Sequence, residues 1–115
     1  MILNIRHTGI VVDDLDASLD FYINKLGFVV SKQMDERGKF IDRILGFNNT
    51  NVATVKMTLN DGSMIELLDF KSHKAEKTVK QLNDIGLTHI AFTVDDVDEM
   101  HSQFITQGVE FISNP

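Results

Sequence analysis

The sequence predicts an α+β protein of paired βαβββ modules forming a curved mixed sheet, with the second module C-terminally truncated. Three observations carry this. A β-branched alternating run is followed by an amphipathic helical run and a second strand-like run. The same grammar returns near the end of the chain in similar text. Between the two copies, an Asp-Gly turn separates two further strand-like runs.

Ile5 to Val12 alternates and is β-branched, which reads as a strand. Asp13 or Asp14 is a suitable N-cap. Leu15, Leu19, Tyr22 and Leu26 then share one helical face, and Gly27 stands where a left-handed C-cap residue belongs. Phe28 to Met34 reads as the second strand. Val52 to Leu59 and Met64 to Phe70 read as two more strands, joined by Asn60-Asp61-Gly62-Ser63, a strong hairpin signal.

The repeat appears when His7-Thr8-Gly9-Ile10-Val11-Val12-Asp13-Asp14-Leu15-Asp16 is set above His89-Ile90-Ala91-Phe92-Thr93-Val94-Asp95-Asp96-Val97-Asp98. With one deletion, Leu26-Gly27-Phe28-Val29 then falls over Gln107-Gly108-Val109-Glu110. In the second copy Thr88 to Val94 reads as a strand. Asp95 or Asp96 caps a helix with Val97, Met100, Phe104 and Ile105 inside, Gly108 stops it, and Val109 to Ile112 begins a strand. Domain organisation follows: residues 1–70 form the first module, 71–87 a polar link, and 88–115 a second module lacking its final hairpin. The link permits a helical stretch around Ala75 to Leu82. The early stop at Pro115 reads as a truncated or partial gene product.

Composition narrows the function. The net charge is −6 with no basic stripe, so the footprint of phosphate-backbone binding is absent and nucleic acid is not an expected partner. No cysteine occurs, which excludes disulfides and thiolate metal sites and agrees with a reducing compartment. The N-terminus shows neither a signal-peptide pattern nor a membrane-spanning run, so cytoplasmic localisation without membrane contact is the expectation.

Strand alternation places the candidate chemistry. If Ile10 and Val12 face the helix, then His7, Gly9 and Val11 face away from it. By the same count His89, Ala91 and Thr93 face away in the second copy. Gly9 and Ala91 leave room beside the histidines. Glu66 lies mid-strand in Met64-Ile65-Glu66-Leu67-Leu68, where a carboxylate is costly unless paired or bound to a metal. Taken singly, each of these residues reads more simply as a packed or solvated side chain. Two equivalent histidines plus a glutamate on a neighbouring strand form a constellation that chance supplies less often.

These residues resemble the vicinal oxygen chelate superfamily, which includes glyoxalase I, methylmalonyl-CoA epimerase, extradiol dioxygenases, fosfomycin-resistance enzymes and bleomycin-resistance proteins. The resemblance rests on His7, on Ser18-Leu19-Asp20-Phe21-Tyr22 running to Leu26-Gly27-Phe28, on Ile65-Glu66-Leu67, and on Thr88-His89-Ile90-Ala91-Phe92-Thr93-Val94. It covers nearly the whole chain and fixes superfamily better than substrate. It implies a metal set of His7, Glu66 and His89, with Glu66 also catalytic. A fourth ligand is expected in the missing hairpin. Glu110 is not its equivalent, since it falls over Val29.

Such donors suit Zn, Ni, Co, Mn or Fe(II). The implied reaction is that of a metal-dependent lyase or isomerase of the glyoxalase type, abstracting a proton next to a metal-chelated oxygen of a small-molecule substrate. A metal-free, bleomycin-resistance-like binding module and an Fe(II) extradiol-type dioxygenase are the alternatives. The resemblance allows a site within one chain or across two, and a homodimer is expected because a missing hairpin leaves unpaired strand edges that invite dimerisation. Arg43, in the variable segment Phe40-Ile41-Asp42-Arg43-Ile44, is a candidate clamp for a substrate carboxylate or phosphate. Pairing with Asp42, or simple solvation, is the plainer reading. His73 and His101 read as surface residues.

Overall fold

The computed structural model describes residues 1–115. It divides into two units, Met1–Lys77 and Thr78–Pro115. No helix is long and apolar enough to cross a membrane.

In the first unit β1 (Thr8–Val11) leads into α1 (Leu15–Leu19). Asp14 caps α1 by accepting from Ala17 N at 2.9 Å, the bond that a β-region Asp makes to an otherwise orphaned helical N–H. The helix then widens into a π-helical stretch, Asp20–Lys25. Gly27, at φ 79°, closes it. Phe28 N donates to Tyr22 O at 2.9 Å and Gly27 N to Ile23 O at 3.2 Å. This closing turn is one residue wider than the Schellman cap of an α-helix.

β2 (Val29–Arg37), α2 (Lys39–Leu45), β3 (Asn51–Thr58) and β4 (Met64–Phe70) follow. The strands form one mixed sheet in the order β1-β4-β3-β2, with β1 parallel to β4 and the other pairs antiparallel. The fold class is therefore α+β.

The helical segment covers one sheet face. Phe28, Val55, Met57, Ile65 and Leu67 are buried there, and Ile10, Val12, Leu15, Leu19, Tyr22, Ile23 and Leu26 pack against them. Alternation explains the set, since each strand sends every second side chain to this face. The core thus fixes by default which residues of β1, β3 and β4 point to the opposite face.

The β3–β4 turn has its own scaffold. Leu59 N donates to Ser63 O at 3.0 Å, and Gly62 adopts φ 85°. The Asp61 carboxylate accepts from Ser63 N at 2.9 Å and Ser63 Oγ at 2.8 Å. The backbone N–H and then the hydroxyl of Ser63 hold its pKa below the ordinary 3.8. A depressed carboxylate pKa contributes stability above the unfolded value, and that contribution is lost as pH falls through the folded value. Asp61→Asn is thus expected to flatten the acid limb of the unfolding curve below about pH 4, read by circular dichroism across a pH series, with little change at neutral pH.

Four expectations need correction. The first strand begins at Thr8 and not at Ile5, because residues 1–7 have no ladder partner. Ala75 to Leu82 forms no helix. An unexpected helix, α2, stands in the variable segment. It has no side-chain N-cap bond and stops at Gly46 at φ 74°. The fourth concerns the second unit, where neither Thr88–Val94 nor Val109–Ile112 is a strand. A strand exists only by pairing, and the alternation of residues 88–94 finds no hydrogen-bonded neighbour here.

That unit is organised by α3 (Val97–Thr106). Asp96 caps it by accepting from Glu99 N at 2.9 Å. Gly108 N to Ile105 O (3.0 Å) and Val109 N to Phe104 O (2.9 Å) close it in a Schellman motif. Phe111 returns over its surface, with its ring centroid 4.4 Å from that of His101.

Candidate metal and substrate site

On the face away from α1, β4 presents Met64, Glu66, Leu68 and Phe70, and the β3 residues opposite them are Thr58, Lys56, Thr54 and Val52. Glu66 lies opposite Gly9 of β1 on one side and Lys56 of β3 on the other. Gly9 contributes no side chain, and a methyl there would meet Leu68 Cδ1 at 3.4 Å. His7 lies just before β1, and its Nε2 stands 3.4 Å from Glu66 Oε2. Lys56 Nζ approaches the same oxygen at 3.6 Å. The Glu66 side chain is 12% exposed, against 33% for His7 and 27% for Lys56. The carboxylate is thus the most withdrawn member, with a cationic or imidazole group on each flank.

The structure brings His7 and Glu66 together within the first unit, with no third histidine or acid joining them there. His89 belongs to the second unit, exposed, with its Nδ1 2.9 Å from Thr88 Oγ1. Arg43 lies exposed on α2. Its neighbour Asp42 is engaged elsewhere, accepting from Thr50 N at 2.7 Å and Asn49 N at 3.1 Å.

Lys56 escaped the sequence reading. The signal was available, because counting outward from the Asp61-Gly62 turn puts Lys56 opposite Glu66 on the same face. A lysine within a strand carries no motif, however, and its meaning comes only from its neighbour. Lys32 extends the row, opposite Lys56 on β2 and exposed.

A cavity of about 600 Å³ opens at the other end of the strands, away from His7. Val11, Phe47, Phe70 and His73 line it. Phe47 packs edge-on against Phe70 and stacks with His73 at 4.8 Å between ring centroids. His73, expected as a plain surface residue, is therefore part of an aromatic cluster.

A histidine nitrogen and a carboxylate are donor types that borderline divalent cations accept, but no third ligating side chain joins them here. The nearby ammonium sets the opposite tendency, since it already balances the carboxylate charge. The pair alone is a partial ligand set. A closed structural site would need four donors.

The chain is 29% identical to the uncharacterized protein YwkD of Bacillus subtilis over 96% of its own length and 76% of the relative's. It is 31% identical to YurT of the same organism, covering 94% and 77% respectively. It is also 28% identical to lactoylglutathione lyase of Schizosaccharomyces pombe, covering 93% of this chain and 38% of that one. Among solved structures, a glyoxalase family protein from Bacillus cereus superposes with a TM-score of 0.89 at 27% identity, covering 99% of this chain and 78% of that one. The fosfomycin-resistance protein FosX of Listeria monocytogenes shares the fold at 19% identity, with a TM-score of 0.61 over 96% of this chain and 75% of that one. Residues 4–115 match the family described as the Glyoxalase/Bleomycin resistance protein/Dioxygenase superfamily, and the chain belongs to it.

Proposed function

We propose that the protein is a metal-dependent lyase or isomerase of the glyoxalase type, acting on a small molecule at the His7–Glu66 face. The observation that carries this reading is the convergence of His7 Nε2 on Glu66 Oε2 at 3.4 Å, on the sheet face the core leaves free. The similarity to a lactoylglutathione lyase supports the reaction class.

His7, Glu66 and His89 would hold a divalent cation, with His89 supplied by this chain or by a second copy. The modules 1–70 and 88–115, joined by 71–87, supply one histidine each. A bound divalent ion would supply Lewis acidity, polarising the substrate oxygens. The chain's own residues do the rest. His7 Nε2 stands 3.4 Å from one oxygen of Glu66, so the two groups share one spot on the sheet face. Glu66, withdrawn from water on a strand, is positioned to take a proton from the carbon beside a polarised oxygen and to return it to a neighbouring atom. Such general-base work contributes about 10²–10⁴-fold. Arg43 is retained as a candidate clamp for a charged substrate group, on the ground of its exposure at the edge of the variable segment.

Metal titration tests the ligand set. Replacing outer-shell partners alone weakens metal binding about 10–100-fold, so loss of a direct ligand should exceed that. His7→Ala and His89→Ala are each expected to weaken Mn(II) or Zn(II) binding by more than this, measured by calorimetry on folded protein. Unchanged affinity in either variant removes that residue from the set.

One observation favours a second reading, the metal-free binding module. Lys56 neutralises Glu66 without any ion, at 3.6 Å. If the wild-type chain takes up no divalent cation at micromolar concentrations, this second reading replaces the first.

A further inference from the structure

We propose that the cavity at the far end of the strands is a second ligand site, one that takes a small, uncharged, planar aromatic molecule. It involves neither the His7–Glu66 pair nor a metal ion, and is independent of the metal-dependent reading.

A strap of backbone builds the cavity. Where β4 ends, Lys71 N and Ser72 N donate to Asn51 O at 2.8 and 3.1 Å. Ser72 Oγ accepts from Asn51 N at 2.8 Å. The chain then turns at His73, whose φ of 54° lies in the left-handed region that non-glycine residues seldom enter. Residues 74–77 line the cavity from there. Lys77 Nζ meets Asp13 Oδ2 at 3.0 Å, between β1 and α1. The hydrogen bond and then the charge of Lys77 hold the Asp13 carboxyl below its ordinary 3.8, so it is ionised at neutral pH. The strap is thus fastened at both ends, by Asn51 and by Asp13. The volume it helps to enclose, about 600 Å³, lies within the ordinary range for small-molecule pockets.

The lining decides what fits. Phe47 stands edge-on to Phe70 and stacks with His73. Val11, Val12 and Ala75 add aliphatic surface. Despite these contacts Phe47 is 41% exposed and Val11 64% exposed. Apolar surface is therefore left for a ligand to cover, and covering it is favourable. Aromatic rings favour a planar aromatic guest, which can meet them edge-on or offset-stacked.

The charges rule out an ion. Asp69 is buried, and its carboxylate accepts from the Lys71 ammonium. Asp13 has Lys77. The other charged lining residues, Lys74 and Glu76, are exposed and opposite in sign. A charged ligand would give up hydration and meet no free counter-charge. An uncharged one loses little.

The test titrates the full chain with indole and follows backbone amides by two-dimensional NMR. Saturable shifts are expected at Val11, Val12, Phe47, Phe70 and Ala75. Tryptamine and indole-3-acetate, each carrying one charge, should bind about tenfold more weakly or worse. Phe47→Ala is expected to weaken indole binding about tenfold, because a principal wall is removed. Val11→Trp, which fills the space from the strand side, should abolish it. Should Phe47→Ala fail to fold, Val11→Trp carries the comparison.

Absence of saturable shifts at these amides overturns the site, as does indole binding that survives in the folded variants. Charged indoles binding as tightly as indole overturn the ligand class. Shifts of the same amides on diluting the protein without indole would also overturn it, since a second copy would then be the occupant. None of these outcomes alters the metal titrations of the His7 and His89 variants.

Discussion

Glu66→Gln is expected to lower turnover about 10²–10⁴-fold while leaving the sheet intact. Glutamine matches glutamate in shape, and its carbonyl oxygen can still stand beside His7 and Lys56. What it cannot do is take up a proton at neutral pH. The loss should therefore fall on kcat more than on KM, with some loss of metal affinity because a charged donor has become neutral. Interconversion of lactoylglutathione with its precursors is the first assay, given the lyase among the relatives. Parallel Mn(II) titration separates lost chemistry from lost metal. A variant that retains both metal and turnover would show that the base lies elsewhere.

The second large effect concerns stability. Leu67→Ala is expected to cost about 2–5 kcal/mol, the range for truncating a large aliphatic side chain inside a packed core. Leu67 is fully buried among Phe28, Val55, Met57 and Ile65 and lies beside Glu66 on β4. For a domain of this size each kcal/mol corresponds to about 4–8 °C in Tm, so thermal unfolding by circular dichroism gives an unambiguous readout. Leu68→Ala, on the opposite and less buried face, should cost distinctly less. The contrast between these two neighbours tests the alternation that aims Glu66 at the functional face. Similar losses at both positions would mean that the two faces are equally packed.

How far the sequence could be read depended on whether a segment carries its own partner. The β3–β4 hairpin was legible because its turn lies between the two strands and names their register. β3 spans Asn51–Thr58 against an expected Val52–Leu59, and β4 spans Met64–Phe70 as expected. The facing of Ile10 and Val12 toward the helix followed from alternation alone and put His7 on the opposite face; the ladder then placed Glu66 there, opposite Gly9.

Thr88–Val94 shows the limit. Its alternation is as clear as that of β1, but a ladder requires a second segment, and the sequence does not say which one. Helix α2 was hidden for another reason. Gly38 provides no side-chain cap, so no start signal marks it, although Phe40, Ile41, Ile44 and Leu45 recur at helical spacing before Gly46. Lys56 lay in plain view, but a charged strand residue acquires meaning only beside another charge.

The widened stretch Asp20–Lys25 bears on the difference in length between the two copies. The two copies align without a gap from His7/His89 through Asp16/Asp98, then fall out of step by one residue before Gly27/Gly108. The first copy holds its surplus residue inside a loosened helical turn, while the second copy remains a regular α-helix. The one-residue difference in length is thus taken up inside the helical segment of the first copy. In both copies a positive-φ glycine, Gly27 at 79° and Gly108 at 78°, still ends the helical segment, so the extra residue is accommodated without moving the stop.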